Sequence, residues 1–170
     1  MFLWVINRRK IETLTYICKM KLEEALKTSK FANEKHKATL NIIYSAYWLK
    51  TMLSNSIKPF GITIEQFNVL RILRGAYPNQ ICVKDIGSRM IEKSSNVPRI
   101  IDRLVAKDLV VRNTSEKDKR ETLIGINKHG IELLDQANAC MDAISLNNIQ
   151  ISEEKATILN QIMEDMRVGD

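Results

Sequence analysis

Residues 94–107, Ser-Ser-Asn-Val-Pro-Arg-Ile-Ile-Asp-Arg-Leu-Val-Ala-Lys, read as a short helix with two unlike faces. Val97, Ile100, Ile101, Leu104 and Val105 fall at i, i+3, i+4, i+7 and i+8, on one apolar stripe. Ser95, Arg99, Arg103 and Lys107 follow one another every four residues on the other side. Such a helix must bury one face against a scaffold. Its other face offers hydroxyls, an amide and arginines, which suit the major groove of DNA. Ser94 is the expected N-cap, so Pro98 falls about four residues in, where a missing donor interrupts little of the helix. Pro98 faces outward beside Asn96 and Arg99. There it either touches a thymine methyl or only stiffens the first turn.

The flanking sequence supplies the scaffold. Residues 34–58 form a long helix with two apolar stripes: Ile42, Ala46, Leu49 and Leu53 on one, Leu40, Ile43, Tyr44, Tyr47 and Trp48 on the other. A helix apolar over much of its circumference needs cover on more than one side, and a second subunit is a good candidate for that cover. The helix ends before Pro59. Thr63 and Gln66 have the spacing of a capping box. Phe67, Leu70, Ile72 and Leu73 then give a core face, closed by Gly75 and Pro78. Residues 80–83 suit a short strand and residues 84–90 a third short helix. Two helices joined by a short turn, the second with a basic face, are the ingredients of a helix-turn-helix.

Residues 108–113 and 120–126 read as two strands around the polar turn 114–119, a β-hairpin wing. Asn127 is a plausible cap for a helix over 128–146, with Ile131, Leu134, Met141 and Ile144 on its apolar side. Ser152 caps another, with Ile158, Leu159, Ile162, Met163 and Met166 as its stripe. With no sheet nearby, these last helices are expected to pack on the first long helix and on its counterpart in a second subunit. The fold class is mainly α with a small β wing, a winged helix-turn-helix with N- and C-terminal dimerisation helices. Residues 61–127 form the DNA-binding lobe, 31–60 and 128–170 the helical dimerisation region, and 1–30 an N-terminal extension.

Charge supports a polyanionic partner. The 170-residue chain carries a formal +6. Residues 62–127 hold 12 basic and 8 acidic side chains, whereas residues 128–170 hold 3 and 8. A modest lysine excess that only aids solubility is the plainer account. Cys18, Cys82 and Cys140 are scattered and odd in number, with no C-x-x-C pair, which speaks against a disulfide framework or zinc site and for a reducing cytoplasm. The apolar run 2–6 is too short to span a bilayer. The cations Arg8, Arg9 and Lys10 follow it, whereas a signal peptide puts its charge first. No membrane association is expected. Either the native start is Met20 or residues 1–19 are a loosely held extension.

The order of elements and four short runs resemble the MarR family of bacterial winged-helix transcription regulators. Gly61-Ile62-Thr63-Ile64-Glu65-Gln66-Phe67-Asn68-Val69-Leu70 is similar to the family's G-[IL]-T-x-x-[QE]-[FYW]-x-[VL]-L. Ile101 to Val110 resembles V-x-x-L-x-x-K-G-L-[VI]. Asp118-Lys119-Arg120 matches the wing's Asp-x-Arg, and Ile126-Asn127-Lys128-His129-Gly130 resembles L-T-x-x-G. Asp108 stands where the family often has glycine, though Asp tolerates a left-handed backbone better than most residues. Asn127 replaces the usual threonine. The resemblance covers about residues 30–168.

The resemblance implies a homodimer on a palindromic double-stranded DNA operator, usually as a repressor. It implies more loosely a small amphipathic or phenolic effector that releases the DNA. On this reading Ser95, Asn96, Arg99 and Arg103 contact the groove, and Ser94 caps its helix or touches phosphate. Pro98 sits among them. A surface salt bridge is the alternative for Arg103. Arg120 enters the minor groove with Asp118 orienting its guanidinium, and Lys117 and Lys119 serve phosphate. Tyr44, Tyr47, Trp48 and Met52 either line an effector cleft or are plain core and dimer interface. Cys18 and Cys82 lack an evident activating partner and read as inert thiols rather than oxidant sensors. No acid–base constellation, nucleotide loop or metal spacing is present, so neither an enzyme nor a cofactor is expected. The alternatives are a winged helix used for protein–protein assembly and a helical small-molecule binder without DNA.

Overall fold

The computed structural model describes residues 20–93, 96–116, 118–149 and 151–167, with only the backbone for 144–148. The expectations for residues 1–19, Ser94, Ser95, Lys117 and the Ile144 side chain lie outside the described residues. The elements are α1 (Leu22–Leu26), α2 (Glu34–Ile57) with a 3-10 turn at Lys58–Phe60, α3 (Ile64–Ala76), β1 (Ile81–Cys82), α4 (Val83–Arg89), α5 (Val97–Ala106), β2 (Val110–Thr114), β3 (Thr122–Ile126), α6 (Lys128–Asn148) and α7 (Glu153–Asp165). They fall into two compact units. One is Ile42–Asp142; the other joins the described parts of Met1–Asn41 and Ala143–Asp170.

The first unit carries the helix-turn-helix. Gly61 turns the chain in a left-handed conformation (φ 68°), where a side chain would be strained. The capping box then starts α3: the Thr63 hydroxyl accepts the Gln66 N–H at 3.3 Å, and Gln66 Oε1 accepts the Thr63 N–H at 3.1 Å. Phe67, Val69, Leu70 and Leu73 of α3 meet Ile86, Ile101, Leu104, Ile124 and Leu134 in one buried core. Each such side chain contributes about 1.5–3 kcal/mol by leaving water. Leu134 and Ala137 bring the first half of α6 into the same core.

The sheet is three-stranded and antiparallel, in the order β1-β3-β2, rather than a two-stranded wing alone. Ile81 pairs with Ile124 and Cys82 with Leu123, while Val110 pairs with Ile126 and Thr114 with Thr122. Both wing strands start later than expected. The first starts at Val110, because Asp108 is left-handed (φ 54°) and cannot extend the strand backwards. The second starts at Thr122, because Arg120 belongs to the turn.

The stripe on α5 is narrower than expected. Val97, Ile101 and Leu104 are buried and Ile100 is half-buried, but Val105 is 39% exposed. At i+8 it lies about 80° round the helix from Val97, on the edge of the stripe.

In the second unit Lys37 meets Glu23 at 2.5 Å and lies 5.5 Å above the Phe31 ring. Ser152 caps α7 by accepting the Lys155 N–H at 3.3 Å. α7 buries none of its residues, and Ile158, Leu159, Ile162 and Met166 stay about half exposed on one stripe. Among the described residues no helix is long and apolar enough to cross a membrane.

Candidate nucleic-acid interface

The reading helix α5 begins later than the sequence suggests, and Asn96 is its cap. The Asn96 side-chain oxygen accepts the Arg99 N–H at 3.2 Å. The helix therefore starts later than the expected cap would place it, and Pro98 is the second helical residue rather than about the fourth. At that position an N–H has no partner within the helix, so proline costs nothing there and its fixed φ suits the first turn. The cap also commits the Asn96 oxygen.

Asn96, Pro98, Arg99 and Arg103 are all exposed. Neither Arg99 nor Arg103 has an ion-pair partner among the described residues, so the surface salt bridge considered for Arg103 is not formed there. The acid nearest in sequence, Asp102, pairs with Arg112 of β2 instead, which links the reading helix to the wing.

Both flanks of α5 are tied to the scaffold. Ahead of it, the Lys50 ammonium of α2 pairs with Glu92 and lies 3.8 Å from Glu65. The hydrogen bond to Glu92 raises the Lys50 pKa above its usual value, against the opposing effect of burial. Lys93 donates to the Ser88 carbonyl. Behind α5, Asn127 donates to the Asp108 carbonyl at 2.9 Å and to its carboxylate at 3.2 Å, while His129 Nδ1 lies 2.7 Å from the other carboxylate oxygen. Asn127 also caps α6 by accepting the Gly130 N–H at 2.9 Å. Lys107, which sequence spacing places on the outward row, turns back and donates to the Gly61 carbonyl and to Gln66 Oε1.

The wing turn is built by backbone hydrogen bonds. Ser115 N–H donates to the Glu121 carbonyl at 3.0 Å and Glu121 N–H to the Asp118 carbonyl at 2.9 Å. The buried Ser115 hydroxyl accepts the Asp118 N–H at 3.3 Å. Asp118 accepts the Arg120 backbone N–H, not its guanidinium. The expected orienting contact is thus a turn-forming one: a carboxylate two residues back reaches the backbone more easily than the end of a long side chain. Lys119 and Arg120 are exposed and have no ion-pair partner among the described residues.

The four residues suggested for an effector cleft do not share one surface. Tyr44 and Trp48 are half-buried, Met52 is buried and Tyr47 is 71% exposed. Tyr47 lines a depression of about 270 Å³ with Lys50, Thr51, Ser54 and Asn55. Trp48 Nε1 is buried without a hydrogen-bond partner among the described residues. Cys82 is half-buried and Cys140 exposed, both as free thiols. Sequence reading missed the roles of Lys50, Asp102, Lys107 and Arg112. Their charges are visible in the sequence, but their partners are set by the tertiary fold.

Residues 62–122 match the family model described as MarR family. The transcriptional regulator MhqR of Bacillus subtilis is 29% identical over 124 residues, covering 69% of this chain and 79% of that protein. A mutant MarR from E. coli complexed with operator DNA superposes with a TM-score of 0.69 at 22% identity, covering 82% of this chain and 99% of that one. An organohalide-sensing regulator in its 2,4-dichlorophenol-bound form gives a TM-score of 0.70 at 16% identity, covering 79% and 80%. At such identities these two structures speak for the fold. Together with the capped helix α5 and the wing, they show a winged helix-turn-helix fold whose residues 62–122 are similar to the MarR family.

Proposed function

We propose that the chain is a sequence-specific DNA-binding regulator, acting as a homodimeric repressor on a palindromic operator. One observation carries this reading. α5 buries Val97, Ile101 and Leu104, while Arg99 and Arg103 on its outer side have no ion-pair partner among the described residues. The wing that follows ends in Arg120, unpaired in the same sense. An arginine fork matches a guanine edge in the major groove, and a wing arginine suits a narrow minor groove. Ser95, Lys117 and Lys119 complete the proposed contact set, with Ser94 near phosphate. The half-exposed stripe of α7 supports a second copy as cover. A gel-shift titration on DNA upstream of the protein's own gene, at two salt concentrations with random DNA as competitor, tests the reading. Specific binding that weakens steeply with salt is expected. Equal affinity for random DNA contradicts it.

A second reading concerns an effector. Trp48 Nε1, without a hydrogen-bond partner among the described residues, favours a ligand with an acceptor oxygen, such as a phenol, lying beside Tyr44 and Met52. Titrating 2,4-dichlorophenol into a Trp4→Phe variant reads Trp48 fluorescence alone. A saturable change, with parallel loss of operator binding, supports it; an unchanged spectrum rejects it.

A further inference from the structure

We propose that Lys107 is a positioning residue for the reading helix and makes no contact with DNA. The proposal rests on the DNA-binding reading above. By spacing, Lys107 continues the outward row of Arg99 and Arg103, so it looks like a third cation for the nucleic acid. Its ammonium goes elsewhere. It donates to the Gly61 carbonyl and, at 3.2 Å, to Gln66 Oε1.

Both acceptors belong to the start of α3, more than forty residues away in the chain. Gln66 is 2% exposed and its Oε1 already accepts the Thr63 N–H at 3.1 Å, so it is held from two directions. Gly61 sits in a left-handed turn immediately ahead of the same capping box. α3 in turn is fixed by Phe67, Leu70 and Leu73 in the core. Lys107 therefore joins the C-terminal end of the reading helix to a firmly packed helix of the lobe. Two of the three donors of its ammonium are used inside the protein, and charge-assisted hydrogen bonds of this kind are the strong ones.

This arrangement separates two properties that a DNA-facing lysine would combine. A lysine on phosphate adds affinity for every sequence and adds to the salt dependence. A lysine that fixes the angle of α5 affects only contacts needing close placement, namely base-edge hydrogen bonds from Arg99 and its neighbours. Lys107 should matter for the preference between operator and random DNA, and not for the number of phosphates neutralised.

The experiment uses the full chain, an operator selected from random DNA, and random DNA of equal length, over a series of salt concentrations. Lys107→Met is expected to lose at least about fivefold in operator affinity, a size typical of one disturbed base contact. Its affinity for random DNA and its salt slope should stay those of the native protein. Lys107→Arg should restore the preference, since a guanidinium has donors for both acceptors. A loss of stability alone does not change the ratio of the two affinities, so that ratio separates positioning from folding. If Lys107→Met fails to melt cooperatively, Lys107→Gln takes its place under the same criteria. A slope shallower by about 0.9, with parallel loss on random DNA, marks a phosphate contact and overturns the proposal. So does an unchanged operator affinity, or a Lys107→Arg variant as weak as the others. A native protein with no preference for any DNA removes the DNA-binding reading itself. Native preference with an unaltered variant removes only the role of Lys107.

Discussion

Asp118 and Arg120 are joined through the backbone: the Asp118 carboxylate accepts the Arg120 N–H at 2.9 Å, and the guanidinium takes no part. The wing's acid is a turn former that shapes the tip, and the Arg120 side chain has no ion-pair partner among the described residues. A motif that looks like an ion pair in the sequence is here a division of labour.

That division predicts different outcomes for conservative variants. Arg120→Ala should weaken operator binding at least about tenfold, the scale of a lost charged DNA contact, without unfolding the protein. Asp118→Asn keeps an acceptor oxygen and should bind nearly as the native protein does. Asp118→Ala loses the acceptor and should bind less well. Gel-shift titration of the three, alongside circular dichroism, checks the set. An Asp118→Asn variant as weak as Arg120→Ala would return the carboxylate to a charge-pairing role.

The cap makes a second prediction. Asn96→Ala should lower stability by about 1 kcal/mol, because one early N–H of α5 loses its acceptor. Asn96→Asp retains the cap and should keep the native urea midpoint. The same aspartate should reduce DNA affinity through repulsion from phosphate. Equal midpoints for all three proteins would mean that Asn96 does not cap in solution.

Two glycines should respond oppositely to alanine. A Cβ on Gly130 would lie 2.1 Å from the Leu109 carbonyl oxygen, so the first turn of α6 and the α5–β2 turn must separate to admit it. Gly130→Ala should cost at least about 1–3 kcal/mol, the range for overpacking a core. Gly75 lies within α3, and a Cβ there would meet nothing within 4 Å, so Gly75→Ala should stabilise by about 0.4–1 kcal/mol. Thermal melting of both variants decides.

Acid should weaken the start of α3. Burial pushes the Glu65 carboxyl upward, but its own backbone N–H, the Thr63 hydroxyl and Lys50 outweigh this and leave it below its ordinary value. A carboxyl lowered on folding contributes stability that is present above its unfolded pKa and is lost as pH falls through the lower folded value. The gap in urea midpoint between the native protein and Glu65→Gln should therefore be widest near neutrality and close in acid. A gap that widens in acid reverses the sign.

What the sequence discloses here is mostly what lies within one turn of helix. The Thr63–Gln66 box, the Asn127 and Ser152 caps and the core positions Phe67, Leu70 and Leu73 of α3 follow from spacing alone, whereas Val69 is buried unexpectedly and Ile72 is only half-buried. Sequence reading puts the cap of α5 at Ser94, a good capping residue, but the cap is Asn96. That places Pro98 in the first turn, where proline is favoured. Partners distant in the chain are not legible there. Lys107 and Gly61 are 46 residues apart, and Lys50 and Glu92 are 42 apart, so only the packed lobe reveals them. Helical periodicity groups Tyr44, Tyr47 and Trp48 on one stripe of α2, yet Tyr47 is exposed and lines a depression with Lys50, Thr51, Ser54 and Asn55, while Tyr44 and Trp48 are half-buried.

The most direct test of the whole account is selection of bound DNA from a random pool by the full chain. Two inverted half-sites, with centres about 10 base pairs apart, are predicted, because a dimer sets two α5 helices in successive major grooves. Enrichment of an asymmetric single site, or no enrichment at all, would contradict it.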